Sequence, residues 1–206
     1  MGQFTDDISK ALKLEELDGM ALAKRGTKIR RRLTTPYLME TKIYGRDHER
    51  DQILDLLIGD ACRNQTLTVL PIVGNGGIGK TALAQYVCSD PRVEAYFDTM
   101  IWVCVSQNFD VVKLTRQMLE CTGKDQGGST NLTLLQEMLK DKLKNWRVLL
   151  VLDDIWDIKD ISEWSKLIAP LGCNQQAKGN VILVTTRNKS VARAICTLYP
   201  IALDGL

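Results

Sequence analysis

The feature that most constrains the fold is a glycine-rich octapeptide between an apolar run and a helical pattern. It reads Gly-Asn-Gly-Gly-Ile-Gly-Lys-Thr over residues 74–81 and follows the apolar stretch 67–73. This spacing satisfies the pattern GxxxxGK[ST], in which a strand turns into a helix through a loop that cradles phosphate. A glycine-rich turn matching by chance is the alternative, and the flanking strand and helix patterns argue against it. The octapeptide therefore predicts a P-loop.

Each part of this loop has a predicted role. The glycines let backbone N–H groups converge on phosphate oxygens at a helix N-terminus, where the helix dipole also favours an anion. Lys80 is expected to be an exposed contact to the β- and γ-phosphates, and Thr81 to place its hydroxyl on Mg²⁺. The predicted nucleotide-binding residues of the loop are Gly74, Asn75, Gly76, Gly77, Ile78, Gly79, Lys80 and Thr81. The loop thus predicts a purine nucleoside triphosphate and magnesium as ligands.

Two further apolar runs end in charged residues that would face the same ligand. Residues 148–152 lead into Asp153 and Asp154, and residues 181–186 lead into Arg187. In an open parallel sheet, ligands lie beyond the carboxyl ends of the strands. We expect Asp153 to hold Mg²⁺ and Asp154 to orient or deprotonate the water that attacks the γ-phosphate. Arg187 is the candidate sensor of that phosphate, and it would stabilise charge on the transferring group.

Structural roles for the same residues remain open. Acids at a strand end also cap a following turn or helix, and an arginine there also pairs with a surface carboxylate. The position of the acid pair after a P-loop favours the metal role of Asp153. The spacing alone leaves the catalytic role of Asp154 and the sensor role of Arg187 undecided.

The chain as a whole alternates apolar runs with helical patterns. The predicted strands are residues 67–73, 100–105, 148–152 and 181–185. The predicted helices lie near residues 47–58, 80–88, 111–120, 132–144, 163–168 and 189–196. Wholly apolar strands that alternate with helices imply a parallel sheet covered by helices on both faces. The predicted fold is therefore a three-layer α/β/α P-loop sheet.

Composition excludes several other classes of function. With 27 basic and 25 acidic residues the net charge is only +2, so charge indicates no nucleic-acid partner. His48 is the only histidine, which excludes a histidine-based metal site and a Ser/His/Asp triad. The six cysteines form no CxxC pair, and no run of about 18 apolar residues is present. We expect a chain of the reducing cytoplasm without a membrane span.

The N-terminal region differs from the rest. Residues 1–36 are polar and charge-rich, and they contain a basic cluster at residues 28–32. We interpret this segment as the tail of an upstream region, and its basic cluster as a solvated linker or helix face rather than a membrane or nucleic-acid contact. Pro36 disfavours helix in the residue before it, so we expect the nucleotide-binding domain to span residues 37–206.

Four segments together resemble a known family. They are residues 42–47 (KIYGRD), 97–106 (FDTMIWVCVS), 149–156 (LLVLDDIW) and 181–187 (VILVTTR). In this order, and with the P-loop, they are similar to the NB-ARC domain of plant disease resistance proteins of the nucleotide-binding, leucine-rich-repeat type, in particular those with a coiled coil.

The resemblance implies more than the patterns show. It implies a sheet of the additional-strand type, and a switch that holds ADP when off and ATP when on, with slow magnesium-dependent hydrolysis. In the family, the segment that matches Ile43, Gly45 and Arg46 lines the adenine pocket. The preference for adenine over guanine comes from the resemblance only.

Departures from the family pattern also carry implications. Asn75 stands where the family often has methionine, and Ala82 stands where a second threonine is common. The backbone N–H of Ala82 remains available to the α-phosphate. The resemblance implies that the helical and winged-helix ARC subdomains, which carry Gly-Leu-Pro-Leu and Met-His-Asp motifs, are missing together with coiled-coil and leucine-rich-repeat regions. We expect such a fragment to be a monomer.

Two rival functions are weighed against the switch. A fast ATP-driven machine or small-molecule kinase would call for an acceptor site or lid, and the sequence shows neither. An interaction module that no longer binds nucleotide is disfavoured because Lys80, Thr81 and Asp153 are all present.

Overall fold

A computed structural model describes residues 34–38, 43–105, 108–123, 129–173 and 177–205. These residues belong to one compact unit that spans residues 33–206. The basic cluster at residues 28–32 lies outside the described residues, and so does Lys42 of the first family segment.

Five strands and eight helices make up the described part of the chain. The strands are β1 (Leu67–Gly74), β2 (Thr99–Cys104), β3 (Val148–Ile155), β4 (Asn180–Thr186) and β5 (Ile201–Leu203). The helices are α1 (Asp47–Ile58), α2 (Asp60–Arg63), α3 (Lys80–Cys88), α4 (Pro91–Tyr96), α5 (Val111–Cys121), α6 (Leu132–Leu143), α7 (Ile161–Gly172) and α8 (Lys189–Ile195).

Local sequence explains where most helices begin. Five of them start at a side chain that accepts a hydrogen bond from the first turn: Asp90, Asp110, Asn131, Asp160 and Asn188. Such caps satisfy backbone N–H groups that have no partner within the helix. The cap residues therefore fix the points at which these five helices begin.

The sheet is wholly parallel, with strand order β2-β3-β4-β1-β5. Strand β4 is inserted between β1, which carries the P-loop, and β3, which carries the paired acids. This insertion is the defining property of the additional-strand type, so the predicted fold class is confirmed.

Side-chain alternation along the strands builds two cores. Leu149 and Val151 of β3 point to the face covered by α1 and α3, whereas Leu150 and Leu152 point to the face covered by α5, α6, α7 and α8. Successive strand residues face opposite sides of a sheet, so a fully apolar strand serves both layers. The three-layer architecture follows. Within the described residues, no helix has the length and apolar character needed to span a bilayer.

Several elements differ from the sequence-based prediction. The short helices α2 and α4 and the three-residue strand β5 were not predicted. Strand β3 also continues through both acids to Ile155, with an irregular register to β4 after Leu152. Asp154 takes a left-handed backbone conformation there, with φ of 59°. Because of this irregularity, successive side chains at the end of β3 no longer alternate strictly between the two faces of the sheet.

Candidate functional site

The loop between β1 and α3 is held open by glycine. Gly77 and Gly79 have φ of 80° and 96°, a backbone conformation that disfavours other residues. A Cβ atom added at either position would meet no atom within 4 Å, so space lies in front of the loop backbone. Gly79 precedes the nine-residue helix α3 directly. The loop therefore presents backbone donors at a helix N-terminus to an open space.

Lys80 lies against this loop and is buried, with 7% of its surface exposed. The prediction of an exposed lysine was wrong, because the loop folds back around the side chain. Its Nζ atom donates to the carbonyl oxygens of Gly74 at 2.9 Å and Asn75 at 2.8 Å. Burial and the nearby charge of Arg187 lower the pKa of Lys80, although Asp154 and Asp153 act in the opposite direction. Additional negative charge beside Lys80 would therefore stabilise its protonated form.

Asp153 is completely buried and receives hydrogen bonds from three threonine hydroxyls. Thr81 donates to Oδ1 at 2.9 Å, and Thr185 of β4 donates to the same oxygen at 2.5 Å. Thr34 donates to Oδ2 at 2.9 Å. The structure therefore brings together Thr81 and Asp153, the two predicted magnesium ligands. A buried carboxylate with hydroxyl donors alone still lacks a counter-charge among these contacts.

Asp154 and Arg187 form a second polar group beside the loop. The Oδ1 atom of Asp154 lies 3.6 Å from Nε of Arg187, and Oδ2 accepts a hydrogen bond from the indole N–H of Trp156 at 2.9 Å. The guanidinium of Arg187 also stacks over the Trp156 ring, 4.9 Å from its centroid. A Cβ atom at Gly76 would lie 3.0 Å from this guanidinium, so Arg187 rests on the P-loop itself.

The segment before α1 also reaches the loop. Arg46 is 4% exposed and pairs with Glu49 at 2.6 Å. Its guanidinium donates to the carbonyl oxygens of Ile78 at 3.4 Å and Asp204 at 2.7 Å, which joins the P-loop to the chain after β5. Gly45 turns the chain with φ of 71° just before it, and Ile43 is half-buried. Their role at a nucleotide base stays a prediction.

Sequence reasoning missed three residues of this site. Thr185 was read only as the end of a strand, and Trp156 only as part of a family segment. Thr34 was assigned to a linker. Position at the carboxyl end of a parallel strand was the available signal for Thr185. Local sequence gives no signal for the role of Thr34, because its partner Asp153 lies 119 positions away.

Comparison with known proteins agrees with this geometry. The family model of the NB-ARC domain matches residues 47–203. The chain is 39% identical to disease resistance protein RGA2 of Solanum bulbocastanum, over 100% of this chain and 21% of that protein. It is 38% identical to putative disease resistance RPP13-like protein 1 of Arabidopsis thaliana, over 81% of this chain and 16% of that protein. The chain thus spans about a fifth of the length of these curated relatives.

A solved structure supports the fold alone. The crystal structure of Cdc6p from Pyrobaculum aerophilum superposes with a TM-score of 0.55 at 19% identity, covering 82% of this chain and 48% of that one. The parallel sheet, the P-loop between β1 and α3, and the family match over most of the chain lead to one assignment. The chain belongs to the NB-ARC domain family, with plant disease resistance proteins as its sequence relatives.

Proposed function

We propose that this domain binds ADP or ATP with Mg²⁺ and acts as a nucleotide-operated switch with slow hydrolysis. The observation that carries the proposal is the hydrogen bond between the Thr81 hydroxyl and the Asp153 carboxylate, directly behind the P-loop. It places a hydroxyl and a carboxylate side by side at the start of α3, next to the buried Lys80.

The loop fits the phosphates of a nucleotide. Its backbone faces open space at Gly77 and Gly79, and Lys80 and Arg187 both lie against it. The lowered pKa of Lys80 reflects burial of positive charge without enough negative charge around it. A bound phosphate would supply that charge, with Lys80 and the loop N–H groups as donors. The other loop residues would serve through their backbone, as would Ala82.

The oxygen donors fit magnesium. Mg²⁺ favours hard oxygen ligands, and it usually takes one or two from protein and the rest from phosphate and water. Thr81 and Asp153 are such a pair, and Asp153 is fully buried with hydroxyl groups as its direct hydrogen-bond partners among the described residues. When bound, the ion would neutralise charge on the phosphates. Thr81 and Asp153 are the residues that would hold it.

The contacts of Asp154 favour a switch over a fast machine. Both of its carboxylate oxygens are engaged, one near Arg187 and the other by the Trp156 indole. A general base works best when it is free to accept a proton from water. The ion pair with Arg187 and the hydrogen bond from Trp156 would compete with a water molecule for these oxygens at the γ-phosphate position that we expect. Slow turnover is the result expected of such a site.

The identity of the parent protein is part of the proposal. By its relatives, the domain would operate within an intracellular plant immune receptor in the cytoplasm. There it would cooperate with ARC, coiled-coil and leucine-rich-repeat regions, with residues 37–206 as the nucleotide-binding part and the segment before them as a linker. Bound nucleotide would bias conformation and assembly through its different contacts in the two states.

The proposal is tested by measuring nucleotide binding and turnover on the same purified chain. Heat-denatured protein should release ADP or ATP. Calorimetry should show adenine nucleotides binding more tightly with Mg²⁺ than with EDTA, and more tightly than GDP or GTP. Steady-state hydrolysis should be slow, well below the rate of about 1–100 s⁻¹ that is typical of kinases. A chain that binds no nucleotide refutes the proposal, and rapid turnover would instead support the ATP-driven machine.

A further inference from the structure

A short segment ahead of the family-matched region lies against the buried carboxylate. Thr34 donates from Oγ1 to Oδ2 of Asp153 at 2.9 Å, and Oγ1 accepts from the indole Nε1 of Trp102 at 3.1 Å. The carbonyl of Thr35 accepts from the Gln85 side chain on α3 at 2.6 Å. The family match begins only at Asp47, so Thr34 and Thr35 lie outside it, whereas their partners lie within it. Three separate elements, β2, β3 and α3, thus anchor the segment.

The chemistry of the donors fixes the direction of these hydrogen bonds. The indole N–H of Trp102 is a donor only, so the Thr34 hydroxyl must act as its acceptor. The hydroxyl proton of Thr34 is then directed to the Asp153 carboxylate. An ionised carboxylate accepts hydrogen bonds but donates none. Trp102 and Asp153 are both buried, with 9% and 0% of their surfaces exposed. Buried donors and acceptors of this kind are costly to leave without a partner.

The sheet order shows on which side of the carboxylate Thr34 lies. Strand β3 stands between β2 and β4, and the P-loop follows β1 on the far side of β4. Thr34 is tied to Trp102 of β2 and donates to Oδ2, whereas Thr185 of β4 donates to Oδ1. Thr81, at the end of the P-loop, donates to Oδ1 at 2.9 Å and also lies 3.2 Å from Oδ2. Thr34 therefore holds Asp153 from the β2 side of β3, at the oxygen that Thr185 does not contact.

We infer that Thr34 is a positioning residue for the magnesium-binding carboxylate and ties the chain ahead of the domain to the nucleotide site. This inference rests on the proposed function, because it assumes that Asp153 serves Mg²⁺. Groups that hydrogen-bond a metal ligand orient it, and their loss typically weakens metal binding by about 10–100-fold. Thr34, held by Trp102, has this relation to Asp153.

The experiment compares Thr34→Val, Thr34→Ser and Thr35→Val in the full chain. Valine keeps the shape of threonine and removes the hydroxyl, whereas serine keeps the hydroxyl. Thr35 is the matched control, since its side chain is exposed and its carbonyl contact to Gln85 survives substitution. The first measurement uses 5-fluorotryptophan-labelled protein without nucleotide, in which Trp102→Phe identifies the Trp102 fluorine signal. That signal should shift in Thr34→Val and stay near its wild-type position in the other two variants.

The second measurement is the Mg²⁺ dependence of binding to fluorescently labelled ADP. The half-saturating Mg²⁺ concentration should rise about tenfold in Thr34→Val, while affinity in EDTA changes less than about twofold. Thr34→Ser should restore the wild-type Mg²⁺ dependence. An equal loss of affinity with and without Mg²⁺ would show a merely structural role and overturn the inference.

The remaining outcomes also decide the matter. An unchanged or lower Mg²⁺ requirement in Thr34→Val, with normal wild-type binding, would overturn the inference and leave the proposed function standing. Wild-type protein that shows no Mg²⁺-dependent nucleotide binding would refute the proposed function, and the inference would fall with it.

Discussion

Buried polar groups have different kinds of partner at the two ends of the parallel strands, which we call the amino edge and the carboxyl edge of the sheet. At the amino edge, the buried Asn180 side chain accepts from the N–H of Val148 and donates to the carbonyls of Thr66 and Ala177. At the carboxyl edge, Lys80 and Asp153 are also buried, but their direct hydrogen-bond partners in the described part of the chain are loop carbonyls and hydroxyls rather than groups of opposite charge.

This difference separates stability from function. Polar groups that complete one another stabilise the fold, since breaking the set leaves buried groups without partners. Charged groups that stay incompletely compensated weaken the fold locally and are stabilised when a ligand arrives. Substitutions at the amino edge should therefore change unfolding, and substitutions at the carboxyl edge should change binding.

The largest effect is expected from Lys80→Ala. Loss of two charge-assisted contacts, to the β- and γ-phosphates and each worth about 2 kcal/mol, should weaken ATP binding by about 1,000-fold. The unfolding midpoint should stay near that of wild type, because the two carbonyls that Lys80 contacts belong to the loop and can turn to water. Calorimetry and thermal unfolding check the two parts.

A matched control is Lys140→Ala, which removes the same charge from an exposed position on α6. It should leave ATP binding unchanged. Tight binding in a folded Lys80→Ala variant would contradict the assignment of the P-loop.

The paired acids should differ in what they control. Asp153→Asn should weaken Mg²⁺-dependent nucleotide binding by about tenfold or more, since the carboxylate is the expected magnesium ligand. Without nucleotide, its unfolding midpoint should equal or exceed that of wild type, because the variant removes a buried charge whose direct hydrogen-bond partners among the described residues are neutral hydroxyls. Asp154→Asn should bind normally and lose hydrolysis by about 100-fold, the scale of general-base catalysis.

Binding at several Mg²⁺ concentrations and single-turnover hydrolysis separate these effects. If the two variants lost binding and hydrolysis to the same extent, the division of roles between Asp153 and Asp154 would be wrong.

At the amino edge, Asn180→Ala should have the reverse profile. It removes the partner of three backbone groups, and we expect a loss of about 2 kcal/mol in the free energy of unfolding. For a chain of this size, that corresponds to a midpoint lower by about 4–8 °C. ADP affinity of the folded protein should change less than about twofold. A variant that unfolds like wild type would show that water replaces the Asn180 contacts.

The sequence predicts the main architecture because the signals for β1, β3, β4 and α3 are local. It does not predict β5, since three residues carry no periodicity and become a strand only by pairing with β1. Helix α4 was within reach: Asp90 followed by Pro91 is the signature of a capped helix start. Its length of six residues hid it from a periodicity argument.

The site divides in the same way. The P-loop, Asp153 and Arg187 lie at or just after the carboxyl ends of strands, so parallel topology alone brings them to one edge. The left-handed conformation of Asp154 and the contact of Thr34 depend on packing between distant segments. The burial of Lys80 was likewise hidden, because it depends on how the loop folds back onto the side chain.

The smallest effect concerns Cys88, which stands at the opposite end of α3 from Lys80 and is 4% exposed. Burial raises the pKa of its thiol from 9.0 to about 12. The folded chain thus keeps this proton at pH values where the unfolded chain has lost it. The unfolded state then binds fewer protons than the folded state. The contribution of the Cys88 thiol to the free energy of unfolding should therefore be fully present well below pH 9 and be lost as the pH rises from 9 towards 12.

At pH 9.5 the loss due to Cys88 should be about 0.8 kcal/mol relative to pH 7.5. Cys88→Ala should be less stable at every pH because of the small cavity it creates, but its decline between these pH values should be shallower by that amount. Urea unfolding under reducing conditions at pH 7.5, 8.5 and 9.5 measures the difference. The pH dependence due to the other cysteines is the same in both proteins and cancels in the comparison. Parallel declines would mean that the thiol reaches water in the folded state, and that the packed end of α3 is as open as its P-loop end.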